Sequence, residues 1–131
     1  MLDLDMLLDQ LAASLQARCP TRLVGRELRD IDDRLEADLA RGVYTLVSRG
    51  QPEPAYLSLT LIGQIVLPES AARIDVERAE LQMLQELQAF ARQPGTVGLP
   101  CRISSWQQSA QLDHPYGWVA AELRVGPLIT P

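Results

Sequence analysis

The longest alternation of apolar and polar residues runs from Tyr56 to Leu67 and predicts a strand. Successive side chains of an extended chain point to opposite faces, so this strand has one apolar face and one mixed face. Gly63 stands on the apolar face where a larger residue is expected, which predicts either a bulge or a closely packed helix there. The apolar face carries Leu57, Leu59, Leu61, Ile65 and Leu67, and the mixed face carries Tyr56, Ser58, Thr60, Ile62, Gln64 and Val66.

Leucines at helical spacing predict a first helix over residues 3 to 17. Asp3 suits its amino end, where the helix dipole is positive. Cys19-Pro20 ends the helix, because a residue before proline is pushed away from the α region. Residues 20 to 29 show no clear period and are expected to form an irregular connection. The leucines of the apolar face are Leu4, Leu7, Leu8, Leu11 and Leu15.

Residues 30 to 41 predict a second, shorter helix that ends at Gly42. Arg34 stands four residues before Asp38, a spacing that allows an ion pair on one helix face. The carboxylates of this segment lack the glycine and the ligand order of a calcium loop, so a solvated helix face is expected instead. The apolar face would carry Ile31, Leu35 and Leu39, and the acidic residues are Asp30, Asp32, Asp33, Glu36 and Asp38.

A third helix is predicted to begin between Ser70 and Asp75, with Asp75 as the preferred cap, and to end at Pro94-Gly95. Its wide apolar stripe is typical of a helix that packs on a sheet. The stripe carries Ala79, Met83, Leu84, Leu87, Phe90 and Ala91, and the polar side is expected to carry Glu80, Gln82, Gln85 and Gln88.

Three further strands are predicted, and they form two hairpins. Val43–Arg49 is rich in β-branched residues, and a short turn links it to the central strand, which predicts an antiparallel pair. Cys101–Ala110 and Tyr116–Gly126 form the second hairpin, joined by a segment of turn composition. The apolar face of the last strand carries Val119, Ala121, Leu123 and Val125.

The summed order is helix, short helix, strand, strand, helix, strand, strand. It predicts one α+β domain over residues 1 to 131, with a four-stranded, mainly antiparallel sheet and helices packed on one face. The second face would be aromatic and polar, as in protein–protein contact patches, although partial cover by a helix is an equal explanation. Its members are Tyr44, Tyr56, Thr60, Ile62, Trp106 and Trp118, of which all except Thr60 are candidate protein-contact residues.

The net charge of −5 argues against a specific nucleic-acid binder, which needs a concentrated basic surface. All 12 basic side chains are arginines, and they are scattered along the chain.

No apolar run reaches the length of a membrane span, and the early Asp3 and Asp5 are unlike a secretory signal. A cytosolic protein with no membrane partner is therefore expected.

The residues that could carry chemistry form no catalytic or metal-binding pattern. Cys19 and Cys101 are far apart, and a disulfide between them is not expected in a cytosolic protein. His114, the only histidine, lies in a predicted turn and is expected to be solvent-exposed. The sequence predicts no metal, no cofactor and no enzymatic activity.

The layout resembles the tail terminator proteins of long-tailed phages, including the Mu-like group and, more distantly, the minor tail protein of the lambda type. The residues that carry the resemblance are the acidic segment and strand RELRDIDDRLEADLARGVYTLVSRG, the long strand, one crossover helix and a closing hairpin. It spans roughly Leu2 to Gly126, and Val43–Arg49 followed by the long strand and helix is the best match. It rests on element order and hydrophobic blocks without a signature motif, and the chain departs from the family in its long acidic segment before Val43.

The resemblance implies a structural protein without catalytic residues. Family members assemble as a ring, typically a hexamer, on the end of the tail tube, stop its growth and offer a surface to the head–neck connector protein. The implied partners are therefore further copies of the chain, the tail tube protein and the connector protein. The implied locations are the bacterial host cytoplasm during assembly and the virion tail. The aromatic second face and the loops around Gly50 and His114 become candidates for these contacts.

An acidic secretion chaperone, which dimerises and wraps a segment of an effector protein, is the alternative. Chain length, acidity and mixed α+β content all fit that class. Such chaperones usually finish with a helix, whereas this chain finishes with a predicted strand followed by Pro-Leu-Ile-Thr-Pro. The tail terminator hypothesis is therefore preferred.

Overall fold

A computed structural model of the chain describes residues 3–95 and 98–128. None of the helices within these ranges is long and apolar enough to cross a membrane. The elements are α1 (Leu4–Arg18), β1 (Leu23–Gly25), a 3₁₀ turn (Ile31–Asp33), α2 (Glu36–Arg41), β2 (Val43–Glu53), β3 (Tyr56–Val66), α3 (Arg73–Arg92), β4 (Cys101–Gln108) and β5 (Tyr116–Val125).

The strands form one five-stranded sheet in the order β1-β2-β3-β5-β4. β1 pairs with β2 in parallel, and every other neighbouring pair is antiparallel. The prediction of an α+β fold with a mainly antiparallel sheet is therefore confirmed, and both hairpins are present. β1 is an additional strand within the segment predicted to be irregular. It was not predicted, because three residues are too few to show a period.

The apolar face of β3 is the floor of the hydrophobic core, as predicted. Leu59 and Leu61 are completely buried, and α1 and α3 supply most of the side chains packed above them. No register shift interrupts the pairing of β3 with β5, so the bulge expected at Gly63 is absent. A Cβ at Gly63 would lie 2.8 Å from Met83 of α3, which makes close helix approach the correct alternative.

The ends of the two long helices follow from their caps. α1 begins after Asp3, whose Oδ1 accepts the backbone N–H of Met6 at 3.1 Å. α3 begins at Arg73, and Asp75 in its first turn accepts the backbone N–H of Ala72 at 3.0 Å. The start of α1 was predicted within one residue, whereas the preferred cap of α3, Asp75, was wrong by three residues, because the cap is Ala72 and Asp75 lies in the first turn.

The continuous second helix was a wrong prediction. The chain forms a 3₁₀ turn, leaves helical conformation at Arg34, and resumes as the short α2. Leu35 is 72% exposed, so it does not line a buried face. Arg34 turns away from Asp38 and donates instead to Gln64 and Thr45 of the sheet, so tertiary hydrogen bonds replace the expected helix-face ion pair.

Glu80 was also wrongly predicted, because it was expected on the polar side of α3 and is completely buried. Its carboxyl oxygens accept the hydroxyl of Ser109, the backbone N–H of Trp118 at 3.0 Å and the side-chain amide of Gln108 at 3.3 Å. A buried carboxyl group is tolerated when its oxygens are hydrogen-bonded. Glu80 therefore ties α3 to both strands of the second hairpin.

Candidate interaction cleft

The face of the sheet opposite α1 and α3, called here the outer face, carries an open cleft of about 560 Å³. The pairing register places Ile62 opposite Ala120 and Gln64 opposite Trp118, so these four side chains point to the same side of the sheet. Together with Tyr116 they form the floor of the cleft. Ile62 and Trp118 are half-buried, which leaves apolar surface available at the floor.

Residues 28–32 cross the outer face and form one wall of the cleft. The wall is fixed by Gln64, which is buried and donates to the backbone carbonyl of Arg29 at 2.9 Å. The Nε of Arg34 donates to the other end of the same amide at 2.6 Å, and its Nη2 donates to Thr45 at 3.2 Å. Because both ends of the Gln64 amide are bonded, the segment is held over the sheet at a defined position.

Arg34 is a cation without a carboxylate partner among the ion pairs of the described residues. Burial first, and the neighbouring Arg29 guanidinium second, lower the pKa of Arg34. An arginine nevertheless stays charged at any working pH. Its charge is accommodated by the neutral acceptors Gln64 and Thr45 beneath the wall.

The turn between β4 and β5 closes one end of the cleft with Asp113 and His114. The indole N–H of Trp118 donates to Asp113 at 3.1 Å, which orients the ring at the floor. His114 is half-buried, and its Nε2 donates to the backbone carbonyl of Ala71, so the expectation of a freely exposed histidine was wrong. Both side chains thus have structural partners.

The lining of the cleft combines apolar and acidic side chains, a composition suited to binding. Among the described lining residues there is no Ser, Thr, Cys or Lys. Elsewhere in the described ranges, no three His, Cys, Asp or Glu side chains cluster so as to hold a metal ion. The cleft offers apolar surface at its floor and carboxylates at its edge.

Tyr44 was predicted on the outer face and lies on the opposite face, where it is completely buried. It pairs with Gly63 in the register of β2 and β3, so its ring fills the space that the missing side chain leaves. Its hydroxyl donates to Glu86 at 2.7 Å. A residue buried in this way is not available for contact with a partner.

Trp106 was also predicted on the outer face. A register shift between Ile103 and Ser105 inserts one residue, which reverses the facing of the residues that follow. Trp106 therefore pairs with Ala121 on the helix side of the sheet. It remains 50% exposed, because it lies on an edge strand.

The other predicted contact residues stay on the outer face. Ile62 and Trp118 come together at the floor of the cleft, as described above. Tyr56 lies at the far end of β3, where the guanidinium of Arg124 stacks 5.5 Å from its ring centre. Sequence reasoning missed the contribution of residues 28–32, since nothing in an acidic, aperiodic segment shows which part of the sheet it will cross.

A second polar cluster joins α3 to the connection after α1. Glu86 accepts two hydrogen bonds from Arg22, at 3.0 and 2.9 Å, and one from Tyr44. Burial acts to raise the pKa of Glu86, but the hydrogen bonds from Arg22 and Tyr44 outweigh it, so the pKa is lowered. Burial raises the pKa of Tyr44, and the bond to Glu86 adds to this effect. These hydrogen bonds connect α3 to β2 and to the connection after α1, so the cluster stabilises the fold.

Neither cysteine is activated. Both thiols are free. Burial raises the pKa of Cys101 to about 11, and burial together with Glu86 raises the pKa of Cys19. Reactive cysteines require the opposite shift, so both residues act as small packing groups.

No protein-family model and no curated protein matches this chain.

Proposed function

We propose that this protein is a structural virion-assembly protein of the tail terminator type, which caps a phage tail tube as a ring and presents a surface for head joining. The observation that carries the proposal is the order of elements. The resemblance to that family rests on an amino-terminal helix, an acidic segment with its strand, a long strand, a crossover helix and a closing hairpin.

The surface of the chain is compatible with a protein whose work is contact with other proteins. The outer face keeps Tyr56, Ile62 and Trp118 partly accessible beside an open cleft. The sheet also has an edge at β4, where Trp106 is exposed. Partly exposed aromatic and aliphatic side chains of this kind are enriched in protein interfaces.

The acidic character would serve passage of DNA through an assembled ring. With −5 charges per subunit, a ring repels phosphates if the carboxylates face its channel. A repelling channel does not retain the nucleic acid, because no counterions are released by contact. We therefore include carboxylates that face the channel in the proposed assembly.

The test is deletion of the gene from the phage or prophage that carries it, followed by electron microscopy of the lysate. Tails of uncontrolled length, or full-length tails that fail to join heads, are the expected result. Normal infectious particles would refute the assignment.

Complementation makes the same experiment specific. Wild-type protein supplied in trans should restore normal particles, whereas the core variant Leu59→Asp should not, because Leu59 is completely buried. The surface variant Glu27→Gln, at an exposed position, is the matched control and should restore them as well as the wild type does. If the deletion instead abolishes secretion of an effector and leaves tails intact, the chaperone alternative replaces the proposal.

A further inference from the structure

The acidic charge of the chain is concentrated in one segment, and part of that segment lines the cleft. Residues 27–38 contain six carboxyl groups and two guanidinium groups, so this stretch accounts for −4 of the net charge of −5. Part of the same stretch, residues 28–32, forms the wall of the cleft. Two carboxylates of this stretch, Asp30 and Asp32, therefore lie at the edge of an apolar floor.

Among the groups that line the cleft, carboxylates also outnumber guanidinium groups. Asp30, Asp32 and Asp113 contribute three carboxylates, and Arg29 is the one guanidinium among the lining residues that the structure describes. Arg29 is already engaged with Glu27 at 3.1 Å. Arg34 lies beneath the wall and gives two of its hydrogen bonds to Gln64 and Thr45. The carboxylates at the edge are thus the charges that an incoming ligand would meet.

The floor supplies the complementary apolar contact. Ile62, Ala120 and Trp118 lie side by side on adjacent strands, and Leu28 of the wall is 49% exposed above them. Because Asp113 holds the Trp118 indole N–H, the aromatic ring is oriented before any ligand arrives. Preorganised aromatic surface reduces the entropy lost on binding.

We propose that this cleft binds a basic, apolar segment of a partner protein, with a large aliphatic side chain on Ile62 and Trp118 and flanking arginine or lysine side chains on Asp30, Asp32 and Asp113. Charge complementarity selects this occupant. An acidic or uncharged segment would bury the same apolar area but would leave the carboxylates of the edge unpaired. The proposal stands on the cleft alone and does not depend on the phage assignment.

The two tryptophans of the chain allow a direct test. Trp106→Phe leaves Trp118 as the single tryptophan, at the cleft floor, and Trp118→Phe leaves Trp106 as the matched control on the other face. The ligand is a synthetic peptide with Leu-Leu at its centre, Arg-Arg on either side and no tryptophan. The expected result is a saturable blue shift of Trp118 emission, with no change in Trp106 emission.

Charge variants then test the selection of the basic segment. In the Trp106→Phe background, Asp30→Asn with Asp32→Asn should weaken binding by about two- to thirtyfold, the range for loss of two exposed ion pairs. The control removes the same charge elsewhere, by Glu53→Gln with Glu77→Gln. These two carboxyl groups contact Arg124 and Gln111, and neither lines the cleft. The control should bind the peptide as tightly as the Trp106→Phe protein does. Raised salt should weaken peptide binding to both of these proteins.

Each contrary outcome overturns the proposal. A peptide with Glu-Glu in place of Arg-Arg that binds equally well would remove the charge argument. Absence of any shift in Trp118, with thermal melting unchanged by the substitutions, would show that the cleft does not take such a segment. A shift that appears on concentrating the protein without peptide would assign the cleft to a second copy of the chain instead.

Discussion

Glu80 is a buried carboxyl group that constrains the helix-to-sheet interface. It is completely buried, and its two oxygens accept hydrogen bonds from Ser109, Trp118 and Gln108. A Cβ at Gly117 would lie 2.9 Å from the same carboxyl group, so a glycine is required at that point of β5. The buried Glu80 carboxyl group therefore requires both its hydrogen-bond donors and the absence of a side chain at Gly117.

Glu80→Gln should destabilise the fold by about 1–3 kcal/mol, because one accepting oxygen becomes an amide that faces a buried donor. Glu77→Gln is the control, since Glu77 accepts one hydrogen bond, from Gln111, and its replacement keeps an accepting oxygen. Urea unfolding measures both variants. Equal midpoints for the two would contradict the role given to Glu80.

Glu86 should make the stability of the protein depend on pH in the acid range. Its pKa in the folded state lies below the ordinary value of 4.5, since hydrogen bonds from Arg22 and Tyr44 outweigh burial. A lowered folded pKa contributes stability that is present above the unfolded pKa and is lost as the pH falls through the folded pKa. Glu86→Gln should cost about 1–3 kcal/mol at neutral pH and should lose less stability than wild type on acidification. Parallel pH profiles of the two proteins, from urea unfolding, would contradict this.

At the scale of the element, β3 is the central strand of the sheet, with β2 bonded on one side and β5 on the other. Its alternation separates the core face from the outer face. Leu59→Asp should therefore cost about 4 kcal/mol or more, because an unpaired carboxylate is placed in the core. Ser58→Asp should change stability by less than about 0.5 kcal/mol, since Ser58 is half-buried on the outer face opposite Arg124. Similar thermal melts for the two variants would mean that the facing of β3 is wrong.

The sequence predicted which side chains of β3 face the core, because a period of two that extends over many residues is a strong signal. The facing of Tyr44 and Trp106 could not be predicted by the same reasoning. Tyr44 occupies the space above Gly63, so the missing side chain in β3 was the available signal for its burial. Trp106 follows a register shift in β4, and such an insertion depends on how the strand meets its neighbour, which the pattern of one strand does not contain.

At the scale of the whole molecule, the floor and the wall of the cleft are held in different ways. Its floor belongs to β3 and β5, which are paired along their length. Its wall, residues 28–32, is attached to the sheet through Gln64 and lies outside the strand ladders. Long-range contacts of this kind could not be predicted from the sequence, because the acidic segment has no period that would assign it to a face.

This difference should appear in native-state hydrogen exchange. Backbone amides of β3 open only with the core, whereas those of residues 28–32 can open when a few hydrogen bonds break. The wall should exchange faster than β3 by on the order of 10³-fold or more. Gln64→Leu removes the bond to the carbonyl of Arg29 and should accelerate exchange of the wall further, while the relative protection of β3 and β5 stays the same. Ser58→Asp, at the other end of the outer face, is the control and should leave the wall unchanged. Protection of the wall equal to that of β3 would mean that the acidic segment is part of the core, and that the cleft cannot adjust to a ligand by moving this wall.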